Sequence, residues 1–72
     1  MRTAEEIREK IEQCVTVLKE LSGKPDMGGA DFVIADRNVT TMSTLLWVLD
    51  EQPSAEMQKL AGRVLQKFQP GR

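Results

Sequence analysis

Between Thr3 and Leu49 the chain writes one apolar spacing twice. Ala4, Ile7, Ile11, Cys14, Leu18 and Leu21 recur at intervals of 3-4-3-4-3, and Phe32, Ala35, Val39, Met42, Leu46 and Leu49 repeat those intervals. The pattern places one apolar edge along each of two helices that pack lengthwise, and a strand of period two cannot use it. It predicts an all-α protein built on a helical hairpin, about residues 3–22 and 31–51, joined by a loop over 23–30.

Local signals support those limits. Thr3 and Glu6 have the spacing of a capping box, and Glu5 and Glu6 favour the positive end of the first helix. Ser22-Gly23 predicts its end, with Gly23 as a left-handed closing residue and Pro25 preventing continuation. Asp31 is the expected cap of the second helix. The short run Phe32-Val33-Ile34-Ala35 suits a strand as well as a helix, and a start near Asp36 or Asn38 is the alternative. Helix is favoured because Phe32 and Ala35 keep register with Val39 and all that follows.

Leu45-Leu46-Trp47-Val48-Leu49 is apolar around most of a helix, so cover is expected on more than one side. A third helix, about 54–68, starts after Pro53-Ser54 and carries Met57, Leu60, Ala61, Val64, Leu65 and Phe68 as a stripe, before a fraying tail at 69–72. These elements predict a small three-helix bundle in one domain, 1–72, with the second helix central and Trp47 in the core beneath the third.

A chain of 72 residues buries only about 60% of its unfolded surface, so its core is marginal and a homo-oligomer is expected. No apolar run approaches the length of a membrane span, and the acidic start Met1-Arg2-Thr3-Ala4-Glu5-Glu6 does not read as a signal peptide. A soluble cytoplasmic protein is the expectation, without contact with membrane. Cys14 is the single cysteine and sits on the first seam, where it reads as a small hydrophobe.

The chain has no histidine and no tyrosine. The commonest general base, the usual triads and familiar zinc ligand sets are therefore missing, and the expectation is no enzyme, no metal and no cofactor. Glu5, Glu9 and Glu12 share the side of helix 1 opposite the seam and read as a solvated face. The loop Gly23-Lys24-Pro25-Asp26-Met27-Gly28-Gly29 does not match a phosphate-binding loop, and Asp31 competes for any amides that Gly28 and Gly29 expose.

Two polar groups remain as candidate sites. Arg37, Asn38, Thr40, Thr41 and Thr44, with Ser43, cluster on helix 2, although hydroxyl residues are mediocre helix formers. They suit a ligand pocket with Arg37 as the fork for a phosphate, a close contact between subunits, or plain solvation. Lys59, Arg63 and Lys67 recur every four residues on helix 3, with Arg72 beyond, and with Trp47 they are the candidate partner-binding residues. The stripe lies in a basic segment: residues 53–72 carry net +3, against −3 over 23–52 and −1 over 1–22. It reads first as a solvated face, and beyond that suits a protein or oligomer contact better than nucleic acid, since no aromatic residue is interleaved for base stacking.

The segment Thr44-Leu45-Leu46-Trp47-Val48-Leu49-Asp50-Glu51 resembles the closing helix of short helical proteins encoded by phages of actinobacteria. There an apolar run ending Trp-Val-Leu is followed by a small residue and an acid, and glycine usually stands where this chain has Asp50. The resemblance implies a phage or prophage accessory protein of unassigned role, working in the host cytoplasm. Arg37, Thr40 or Thr41, and Trp47 are also loosely similar in outline to the helical-hairpin sponges by which phages sequester cyclic-nucleotide signals, and that similarity implies a nucleotide ligand.

The expected function is a non-enzymatic interaction protein that self-associates through its heptad seam and binds a protein partner through helix 2 or helix 3. An oligomeric sponge holding a nucleotide near Arg37 is the alternative, and a weak nucleic-acid binder using the helix 3 stripe is the third.

Overall fold

The computed structural model describes residues 3–67, which form three α-helices: α1, Ala4–Ser22; α2, Gly29–Val48; and α3, Ala55–Lys67. The predicted all-α three-helix bundle is the fold observed. Phe68, counted above in the third stripe, and the tail 69–72 with Arg72 lie outside the described residues.

α1 starts as its sequence predicts. The Thr3 hydroxyl accepts from the Glu6 amide at 3.1 Å and the Glu6 carboxylate accepts from the Thr3 amide at 3.2 Å, which closes the capping box. Its end differs from the expectation. Gly23 sits at φ −85°, in right-handed space, and the helix finishes by tightening, with the Lys24 amide donating to the Leu21 carbonyl at 3.2 Å.

α2 begins at Gly29, two residues before the expected cap, and the alternative start near Asn38 is excluded. Asp31 lies inside the first turn. Its carboxylate accepts from the Gly28 amide at 3.1 Å and from Lys24 Nζ at 3.0 Å, so the carboxylate itself takes the Gly28 amide and ties the loop to the helix. α2 ends in a Schellman closure: the Asp50 amide donates to the Trp47 carbonyl at 3.0 Å and the Glu51 amide to that of Leu46 at 2.9 Å. The left-handed residue this motif requires is Asp50, at φ 56°. Ser54 caps α3, its hydroxyl accepting from the Met57 amide at 3.1 Å.

The helices run up, down and up. Arg8 of α1 pairs with Glu51 past the end of α2, while at the other end Lys67 donates to the Lys24 carbonyl. Both apolar seams turn inward. The buried core is Ile11, Cys14, Leu18 and Leu21 from α1, Ala35, Met42 and Leu46 from α2, and Leu60 and Val64 from α3. Of the twelve seam residues only Ala4 is exposed.

The central helix is α1, and this corrects the expectation that α2 would be. α1 packs along both α2 and α3, whereas α2 and α3 scarcely meet. The physical reason lies in the width of the apolar arc on α1, where half-buried Val15 and Val17 flank the seam on opposite shoulders and allow two neighbours. The heptad seam is therefore packed inside one chain.

Candidate functional site

With α3 resting on α1, the far side of α2 has no cover. Val33, Arg37, Thr40, Thr44 and Trp47 recur along it at intervals of 4-3-4-3, and all five are exposed. Such intervals keep residues on one edge of a helix, so this is a second lengthwise seam, turned away from the core. Trp47 is 80% exposed, Val33 58%, Val48 54% and Ile34 43%. Trp47 is thus not in the core beneath the third helix.

The face is unusually poor in charge. From Asn38 to Val48 no residue is ionisable, and Arg37 is the only cation of α2. A surface helix in water normally presents a charged exterior; one that is apolar on all sides normally has neighbours on all sides. Exposed apolar residues scattered singly need no explanation, but here they pair at the two ends of the helix, Val33 with Ile34 and Trp47 with Val48.

The hydroxyl residues of this helix occupy the same exterior. Thr40 and Thr44 are exposed, Thr41 and Asn38 half-buried. Two of these polar groups turn back on the helix: Thr44 Oγ1 donates to the Thr40 carbonyl at 2.9 Å, and Asn38 Nδ2 to that of Ile34 at 2.8 Å. Arg37 makes no ion pair or hydrogen bond among the described residues. The structure brings these candidates together on a convex helix exterior. Two grooves that run between helices hold none of these polar candidates, and Val33 borders the second of them.

The basic stripe lies elsewhere. Lys59 and Arg63 face a groove of about 520 Å³ between α1 and α3, joined there by Lys19, which the sequence pattern had not connected with them. Glu56 in the same groove stands 4.0 Å from Lys19, a weak exposed pair. Lys67 is turned to the Lys24 carbonyl and stitches α3 to the first loop. The second groove, about 460 Å³, lies between the first turns of α2 and the last of α3, against Phe32, Ala35 and Val64.

Little in the described residues suits chemistry. The Cys14 thiol is buried, and burial pushes its pKa up, only partly opposed by the charge of Lys10, so it stays protonated and unreactive. Glu5, Glu9 and Glu12 lie exposed around Arg8. Among the described residues no three acidic or cysteine side chains group as metal ligands, and no helix is long and apolar enough to cross a membrane.

What the sequence reading missed is the exposure of Val33, Ile34 and Val48 on the same helix as Trp47. The signal was present in the uncharged stretch 38–48 and in a second heptad-like series on the same helix. Compared with known proteins, the chain matches no family model, no curated protein and no solved structure at significance.

Proposed function

We propose that this protein is a non-enzymatic interaction module that docks a protein partner on the outer face of α2. The observation that carries the reading is the exposure of Trp47 on a helix whose stretch from Asn38 to Val48 has no charge. Tryptophan offers a large rigid area at little entropic cost, and interface energy concentrates on such anchors. The threonines beside it are short enough to let a second backbone come close, and their hydroxyls are already partly satisfied by the helix. Arg37 supplies the single charge that orients a partner along the face.

Native mass spectrometry of the protein purified gently from its own host tests this. The wild-type chain is expected to carry added protein mass, and Trp47→Asp to travel without it while keeping its helical circular dichroism. Retention of a nucleotide-sized mass by the wild type, lost in Arg37→Ala, would replace docking with sequestration.

A further inference from the structure

We propose that α3 is a hinged cover: it opens as a unit about residues 52–54 while the hairpin of α1 and α2 stays folded, and its opening bares an apolar edge of α1. The device is separate from the docking face on α2, which the opening leaves in place.

Four observations set α3 apart. The first is how little it buries. α3 contributes Leu60 and Val64 to the core, whereas α1 contributes Ile11, Cys14, Leu18 and Leu21 and α2 contributes Ala35, Met42 and Leu46. α1 and α2 pack lengthwise over 19 and 20 residues, while α3, with 13, lies on α1 and scarcely meets α2. Water reaches along both flanks of α3, through the groove of about 520 Å³ beside α1 and that of about 460 Å³ beside α2. An element with few buried contacts opens at a lower free energy than the whole molecule.

The second is its own sequence. Gly62 stands exposed in the interior of α3, and a Cβ there would meet nothing within 4 Å. No close packing requires this glycine, and it weakens the helix. A helix of 13 residues is marginal in water even when built of good helix formers, so α3 melts once it leaves α1.

The third is attachment. Lys67 donates to the Lys24 carbonyl and Glu56 stands 4.0 Å from Lys19, and both ties are exposed. Exposed ties of this kind add little. The fourth is a pivot. Arg8 holds Glu51 against α1, so the end of α2 stays in place, and residues 52–54, outside any helix and including Pro53, are left to turn.

The edge that α3 covers is apolar. Ile11 shares a small cavity with Met57, and Lys19 and Ser22 line the larger groove with Leu60. Half-buried Val15 stands between Ile11 and Lys19 at intervals of four, on that same edge of α1. Lifting α3 bares Ile11 and Val15 together.

Hydrogen exchange of the full chain tests the proposal, followed by mass spectrometry at low protein concentration, with and without mild urea, and corrected for intrinsic rates. Peptides of α3 are expected to exchange at least about tenfold faster than those of α1 and α2, with a shallower dependence on urea, because opening one helix exposes less surface than global unfolding. Gly62→Ala should slow exchange in α3 about four- to fivefold. Val17→Ala, on the shoulder of α1 away from α3, should speed exchange in α1 and α2 severalfold and leave α3 unchanged, because the closed and open forms feel that change alike. Equal protection in all three helices, or Val17→Ala speeding all three alike, would make the bundle one cooperative unit and overturn the hinged cover. Exchange in α3 that Gly62→Ala does not slow overturns it as well, since α3 would then not melt as a unit.

Discussion

At Asp50 the backbone turns left-handed, φ 56°, and among the described residues its side chain makes no hydrogen bond that would offset the strain. An L-residue in that region costs roughly 1–2 kcal/mol more than in right-handed space, and glycine avoids most of it. Asp50→Gly is therefore expected to raise stability by about 1 kcal/mol, read as the urea midpoint at a dilution where the chain is monomeric. Gly23 is the opposite case. It sits at φ −85°, and an added Cβ would meet only the Glu20 and Lys19 carbonyls at 3.6 and 3.7 Å, ordinary contact distances. Gly23→Ala should stabilise by about 0.4–1 kcal/mol, through the freedom it removes from the unfolded chain. Sequence reading assigned the left-handed turn to Gly23 because glycine is the usual bearer; whether a helix closes by tightening or by reversal depends on where the next segment must go. Asp31 gives a pH dependence. The Lys24 ammonium and then the Gly28 amide hold its carboxyl below the usual carboxylate range in the folded chain. Its contribution is present above the unfolded pKa and is lost as pH falls through the lower folded value. Asp31→Asn should flatten that part of the acid limb of the stability profile, measured by denaturation at successive pH values.

Within α2, neighbours one residue apart have opposite fates. Leu46 is 5% exposed, packed with Met42 and the α1 core, while Trp47 points to water. Leu46→Asp places an unpaired charge in the core at a cost of several kcal/mol, as large as the whole stability of about 3–5 kcal/mol expected at this size, and should unfold the chain. Trp47→Asp should leave the far-UV spectrum and its cooperativity in place. A single pair of thermal melts decides both. The seams of α1 and α2 were legible because periodicity states which edge of a helix is buried. It does not state against what. Leu45 to Leu49 was read as covered on both sides, and the third helix was the only element left to cover it. Val15 and Val17 made α1 the better neighbour for α3, and that choice turned on the relative width of two apolar arcs rather than on any residue of α3. The outer seam of α2 was visible in the same letters, but a series containing Arg37 and two threonines does not look like an apolar edge until the structure shows it has no cover.

The described residues hold together with nine buried side chains, the Cys14 thiol among them, and three ion pairs of small worth. Among the described residues no disulfide and no group of metal-ligating side chains adds to this, and association is a further source of stability on which chains of this size can draw. Association of this kind is visible in melting temperature. If two chains unfold from one dimer, each tenfold rise in concentration adds about 1.4 kcal/mol per dimer, or about 0.7 kcal/mol per chain, to the free energy of unfolding. A domain of 60–100 residues shifts its midpoint by about 4–8 °C per kcal/mol, so the expected rise is about 3–6 °C per tenfold in concentration. If chains associate through the α2 face, Trp47→Asp should melt at one temperature across the same range, below the concentrated wild type and close to the dilute one, because Trp47 is exposed and its loss leaves the core unchanged. A wild-type midpoint that does not move with concentration would place the whole of the stability within a single chain, and the exposed Trp47 of α2 would then be left to a partner of another sequence.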